Sequence, residues 1–253
     1  MKVSLITAAR NAERTIAATL ESALSQKDVD LEYIVVDGAS TDGTPDLVRR
    51  ARAARPDREF RFLSERDDGL YDALNKGIAM ATGDIVGILN SDDVFETDHV
   101  LSDVAAAFDD GTDAVYADVR FVRGGRSVRY YSARSWRPWM HAIGYMPPHP
   151  SVYIRRELFS RLGPYRTGYR ISADFELMVR YFCRERIRAK YLPKCLVRMA
   201  PGGISTSGPG ATMRLNRENV RANRENGYRS CMAMMLPKYL FKIGGLIRPE
   251  GRG

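Results

Sequence analysis

The stretch Asp84-Ile-Val-Gly-Ile-Leu-Asn-Ser-Asp92-Asp93 constrains this chain more than any other. Ile85 to Leu89 form a short apolar run entered by the turn pair Gly83-Asp84, the pattern of a buried strand that ends on two adjacent carboxylates. Ligands of open α/β sheets gather beyond the carboxyl ends of the strands, so acids at such a point are placed for a ligand. Two like charges side by side repel unless a cation sits between them and a partner. Mg²⁺ meets that need with one or two protein carboxylates plus the phosphates of a substrate. On the residues alone a second reading stands beside this one: Asp92 and Asp93 start the next helix as cap residues.

The chain around this stretch alternates between two periods. Strands are predicted over residues 2–9, 31–37, 60–64, 85–89 and 114–118, and helices over 12–24, 45–54, 71–82 and 98–108, which is the pattern of a parallel, doubly wound sheet. Pro45 just inside its helix and the turn residues 38–44 sharpen the second strand-to-helix junction. After Val119 the alternation weakens. A hairpin is expected over 120–131, turning at Gly124-Gly125, followed by an ordered Trp-, Pro-, Met- and His-rich loop over 135–150. Strands are expected at 151–154 and 189–197, and helices at 156–162 and 173–185, the last with Phe175, Met178, Val179 and Phe182 on one face. Residues 201–210, rich in Gly, Ser and Pro, read as a loop able to close over a ligand.

Charge divides the chain at the same point. Residues 1–119 carry 12 Lys and Arg against 24 Asp and Glu, a net of −12, and residues 120–253 carry 27 against 7, a net of +20. The acidic half has the character of a metal and nucleotide half, and the basic half faces something anionic. Cys183, Cys195 and Cys231 have neither C-x-x-C spacing nor an even count, which points away from zinc and from a disulfide framework and toward a reducing cytoplasm. Residues 3–9 read as a first strand, not a signal peptide, and no apolar run reaches the 18 residues of a membrane span.

Three acidic positions invite comparison: Asp37 at a strand end, where a ribose or base edge is read; the Asp92 and Asp93 pair; and Asp174 at a helix start. Seen singly, Asp37 is equally a turn-capping residue and Asp174 an N-cap. In combination the sequence resembles glycosyltransferase family 2, the inverting nucleotide-sugar transferases with the GT-A fold. The matching stretches are Ser4-Leu-Ile-Thr7 with Asn11, Val35-Val-Asp37-Gly-Ala-Ser-Thr-Asp-Gly-Thr44, Asp68-Gly-Leu-Tyr-Asp-Ala-Leu-Asn-Lys76-Gly77 with Ala81-Thr-Gly-Asp84, and Leu89-Asn-Ser-Asp92-Asp93. His149-Pro-Ser, Ala173-Asp174-Phe-Glu-Leu and Gly202-Gly-Ile-Ser205 add to it, so the resemblance covers about residues 1–206. Within the family it looks most like bacterial enzymes that build O-antigen, capsule or exopolysaccharide repeats.

The resemblance implies an α/β GT-A sheet with a nucleotide-sugar-binding part (1–119), an acceptor-binding and catalytic part (120–210) and a basic C-terminal extension (211–253). It implies that Thr7 and Asn11 lie at the nucleotide and Asp37 on the uracil, that Asp92 approaches the ribose, and that Asp93 holds Mg²⁺ or Mn²⁺ on the diphosphate. Asp174 would be the general base. Asp68 and Lys76 are further nucleotide candidates, Lys76 being equally readable as a solvated helix charge. Asn90 departs from the Asp often found there in the family's D-x-D, which leaves the metal to Asp93. The Q-x-x-R-W motif of processive synthases is missing, so one sugar per reaction is expected. The donor expected is a UDP-hexose or UDP-N-acetylhexosamine and the acceptor a lipid-linked saccharide.

Two other enzymes share such a sheet, but both need glycines after the first strand, and Ala8-Ala-Arg-Asn-Ala has none. They are a sugar-nucleotide-making nucleotidyltransferase and a dinucleotide dehydrogenase. A degenerate, nucleotide-binding scaffold of a polysaccharide assembly complex is the non-enzyme alternative. Finally, Arg214, Arg217, Arg221 and Arg224 recur at helical spacing ahead of an apolar segment, 232–247, broken by Lys238 and Lys242. That pattern suits peripheral docking on the inner face of the cytoplasmic membrane, or plain packing with solvated arginines. Nucleic acid is not expected, because the basic stripe comes without a binding motif.

Overall fold

The computed structural model describes residues 1–200, 202 and 208–238. The closing-loop stretch 203–207 and the apolar residues 239–247 therefore lie outside the described residues. The strands are β1 (Lys2–Ala9), β2 (Asp30–Asp37), β3 (Glu59–Ser64), β4 (Ile85–Ile88), β5 (Val94–Phe95), β6 (Ala114–Arg123), β7 (Arg126–Tyr131), β8 (Val152–Arg155) and β9 (Ala189–Met199). The helices are α1 (Ile16–Leu24), α2 (Thr44–Ala54), α3 (Leu70–Met80), α4 (Val100–Ala107), α5 (Arg156–Leu162), α6 (Ala173–Met178) and α7 (Pro209–Glu225). The strands form one sheet in the order β3-β2-β1-β4-β8-β6-β9-β5, with β7 paired to β6.

The first four sheet positions are parallel, as the βα alternation requires. β1 lies between β2 and β4, and all of its residues after Lys2 are buried. Alternate residues serve opposite layers: Val3 and Leu5 face the core under α1, α2 and α4, while Ile6 and Ala8 join the core under α3 and α6. Gly77 lets α3 approach closely, since a Cβ there would lie 2.5 Å from Ile6 Cγ2.

Beyond β4 the sheet is mixed. β8 runs antiparallel to β4 and β6: the β6–β7 hairpin reverses the chain, and the 132–151 segment carries it across to β8 in that reversed direction. Several boundaries differ from the sequence expectation for local reasons. α1 begins at Ile16 and not at Ala12, because Asn11 adopts φ 50° and residues 12–15 form a turn. β5, two residues long, has too little period to be read. The helix expected over 173–185 is α6 followed by a wider π turn, Val179–Arg184, closed by Glu185 N–H to the Arg180 carbonyl at 2.9 Å. In that turn the Arg180 guanidinium donates to the carbonyls of Leu162, Gly163 and Pro164 and pairs with buried Glu176.

Candidate active site

The parallel register brings four segments to one edge. Ala9 pairs with Asp37 and Asp37 with Ser64, while β4 passes through Leu89 into the 90–93 turn. Residues 7–11, 37–44, 64–69 and 90–93 thus share the carboxyl edge, the place where such sheets gather ligands.

Each candidate has a definite place there. Thr7 is fully buried, with its hydroxyl 2.8 Å from the Leu89 carbonyl and 3.0 Å from the Tyr33 phenol, so it ties β1 to both neighbours. Asn11 is exposed and accepts from Thr41 N–H at 2.9 Å, while its own N–H donates to Ser40 Oγ at 2.8 Å. Asp37 is fully buried and accepts from the Ser40 hydroxyl and N–H and from Ser64 Oγ at 2.7 Å, which folds the 38–44 turn. Gly38 beside it leaves room for the Asp67 carboxylate, which a Cβ there would displace. Asp68 is exposed, and its N–H donates to Asp72 at 3.1 Å. Lys76 reaches the Arg66 carbonyl at 2.8 Å and Glu65 at 2.8 Å, so it clamps the 65–72 loop.

Asp92 is exposed and Asp93 is 1% exposed. Burial, and then the charge of Asp92, push the Asp93 carboxyl up to about 7, against the Asn90 amide that donates to its Oδ2 at 2.7 Å. Thr19 Oγ1 donates to the Asp93 carbonyl at 2.8 Å and fixes the turn on α1. The charged neighbour acting on Asp93 is another acid, an arrangement that a bound cation would relieve. Among the described residues no cluster of three or more His, Cys, Asp or Glu gathers to cage a metal. A donor set of one or two carboxylates, completed by phosphate and water oxygens, fits Mg²⁺ or Mn²⁺ and not zinc.

Asp174 approaches this edge through α3. Tyr71, in the first turn of α3, places its hydroxyl 3.2 Å from Asp174 Oδ1, and Phe175 N–H donates to the same oxygen at 2.8 Å. Burial raises the Asp174 carboxyl above its ordinary range, opposed by His149, the Phe175 N–H and Tyr71. His149 Nε2 lies 2.7 Å from the Tyr165 hydroxyl, and burial lowers the imidazole pKa. Tyr71 and Tyr165 went unread as site residues, though Tyr71 sits inside the Asp68-to-Lys76 stretch and so was within reach. Tyr165 carries no signal in its neighbourhood.

A mixed sheet with acids beyond its parallel strands, and a further carboxylate against Tyr71 at the start of the helix that follows the third of them, is the GT-A class of fold. The profile of glycosyl transferase family 2 matches residues 4–170, and the chain belongs to that family of transferases. It is 31% identical over 193 residues to the PGL/p-HBAD biosynthesis glycosyltransferase of Mycobacterium bovis (strain BCG / Pasteur 1173P2), covering 75% of this chain and 73% of that one. It is 31% identical to the succinoglycan biosynthesis protein ExoO of Rhizobium meliloti, covering 70% of this chain and 54% of ExoO. Among solved structures, S. aureus TarS 1-349 in complex with UDP-GlcNAc superposes with a TM-score of 0.70 at 20% identity, covering 95% of this chain and 72% of that one. The mannosyltransferase PcManGT of Pyrobaculum calidifontis, in complex with GDP-Man and Mn²⁺, gives 0.67 at 21% identity, covering 98% and 72%.

Proposed function

We propose that the chain moves one sugar, with inversion, from a UDP-hexose or UDP-N-acetylhexosamine to a hydroxyl of a lipid-linked saccharide in cell-surface glycan assembly. The observation that carries this is a pair of largely buried carboxylates in opposite surroundings. The charged group acting on Asp93 is another acid, whereas Asp174 is held by a backbone N–H and a tyrosine and lies near a histidine. Direct displacement needs both kinds. Asp174 takes the proton of the acceptor hydroxyl as it attacks the anomeric carbon, and its raised pKa makes it a better base than a solvated carboxylate. A divalent cation held at Asp93 would offset the charge that develops on the departing diphosphate. Residues 37–44 and 7–11 form the nucleoside side, with Asp37 for the uracil and Asp92 for the ribose. The relatives named for PGL/p-HBAD and succinoglycan biosynthesis support the role in glycan assembly, the fold neighbour holding UDP-GlcNAc supports the choice of donor, and the one holding GDP-Man with Mn²⁺ supports the cation.

A panel of sugar nucleotides with Mg²⁺ or Mn²⁺, scored by released nucleoside diphosphate, tests the reading. One UDP-sugar is expected to release UDP, and both EDTA and Asp93→Asn to abolish release and metal-stimulated UDP binding. UDP binding that calorimetry finds unchanged by EDTA and by the substitution would remove Asp93 as the metal residue. Binding of UDP with no release from any donor, with or without acceptor saccharide, would leave the scaffold alternative.

A further inference from the structure

α7 turns a row of side chains into the molecule, and one of them grips the backbone next to Asp174. The Glu218 carboxylate accepts from three consecutive N–H groups: Arg170 at 3.2 Å, Ile171 at 2.9 Å and Ser172 at 2.9 Å. These three amides precede α6 and are not part of its hydrogen-bond ladder, so their acceptor is supplied from α7, far along the chain. The opposite side of the same peptide is also held, since the Tyr71 hydroxyl donates to the Ile171 carbonyl at 2.5 Å. Tyr71 therefore touches both the Asp174 carboxylate and the segment that Glu218 holds.

The grip sits in a firm frame. Asn219, Val220, Ala222 and Asn223 on α7 are buried, and Asn226 donates to Glu176 of α6 at 3.2 Å. Arg221 stacks 3.8 Å from the Tyr169 ring centroid and donates to the Gly168 carbonyl at 2.7 Å, which fixes the approach to the 170–172 segment. A charged acceptor shared by consecutive amides is stronger than neutral hydrogen bonds and tolerates little displacement.

We propose that Glu218 is a positioning residue for sugar transfer: by holding the 170–172 backbone it sets where the Asp174 carboxylate meets the acceptor hydroxyl. This rests on Asp174 being the base, and makes α7 a working part of the acceptor side.

The test compares Glu218→Ala, Glu218→Gln and Asp174→Asn, singly and as Glu218→Ala with Asp174→Asn, in the full chain. The readouts are kcat, donor KM and thermal midpoint, using the donor and acceptor that the wild type turns over. Misplacing a catalytic group by about 1 Å costs on the order of 10²-fold, so Glu218→Ala is expected to lower kcat by roughly 10- to 10²-fold. Donor KM should stay within about twofold. Gln, which keeps one acceptor oxygen, should recover most of the loss, and Glu218→Ala should cost nothing further once Asp174 is Asn. Undiminished kcat in Glu218→Ala beside an inactive Asp174→Asn overturns the proposal and spares the base. A loss in which kcat, donor affinity and thermal midpoint fall together without rescue by Gln overturns it as well, leaving Glu218 a fold residue. Full turnover in Asp174→Asn removes the base and the positioning role together.

Discussion

A carboxylate kept in a dry place costs folding energy, and Asp174 shows this with a definite sign. Its folded pKa lies above the ordinary 3.8, so between that value and the raised one the native state binds more protons than the unfolded state. Stability contributed at this position is thus greatest at low pH and falls as pH rises through the window. Asp174→Asn, which cannot ionise, is expected to raise the thermal midpoint at pH 7 relative to wild type, with the gain fading toward pH 4. The same substitution should lower turnover by roughly 10²–10⁴-fold while donor affinity holds, since general-base catalysis contributes about that much. Scanning calorimetry at the two pH values beside steady-state kinetics checks both. A midpoint that drops at every pH, with activity retained, would make Asp174 a helix-start residue. Asn90 gains a reason at this scale too: its amide donates to Asp93 Oδ2, where an aspartate would add a third negative charge beside a buried acid.

The parallel elements could be read from the sequence because each carries its own period and its own punctuation. β1, β2, β3 and β4 with α2 and α3 fall within a few residues of expectation, and the acids at their ends were legible from the position that strand ends hold in such sheets. The second half resists for a physical reason. The direction of β8, the pairing of β5 with β9 and the π turn at Val179–Arg184 are decided by partners far away in sequence, as Arg180 shows by reaching back to the carbonyls of Leu162, Gly163 and Pro164. Glu218 was illegible likewise, since only the fold brings it to residues 170–172. Element packing can be tested where α3 meets β1. Gly77→Ala would set a methyl 2.5 Å from Ile6 Cγ2, and overpacking of this kind costs about 1–3 kcal/mol. In a double-mutant cycle, urea unfolding should show that cost shrinking once Ile6 is Ala. Equal costs in both backgrounds would place the strain elsewhere.

Over the whole molecule, the acidic first half supplies the carboxyl edge of the parallel strands, and in the basic second half α7 packs on the 168–176 segment with its other face toward solvent. The structure divides its arginine stripe. Arg221 is engaged by Tyr169, Gly168 and Glu225, and Arg224 by the Ser230 carbonyl, while Arg214 and Arg217 are exposed. In the segment that follows, Met235 and Lys238 are buried, so part of it packs against the protein, whereas Met232 and Leu236 stay 37% and 64% exposed. Met213 on α7 is 48% exposed and Trp139, on the turn Pro138–Ile143, 61%. Among the described residues no helix is long and apolar enough to cross a membrane. A lipid-linked acceptor would instead be met by lying against an anionic surface, with exposed Met, Leu and Trp at the headgroup level and the exposed arginines above it. Each arginine near such a surface contributes on the order of 1 kcal/mol, so Arg214→Glu with Arg217→Glu should weaken binding by at least about 30-fold. Binding should also weaken with salt, because the Debye length shortens to about 8 Å at physiological ionic strength. The full chain is expected to co-sediment with anionic but not neutral vesicles at low salt, and the doubly reversed chain to remain in the supernatant. Equal pelleting of both chains, or of neither with any lipid, would sink the docking reading and leave the transferase untouched.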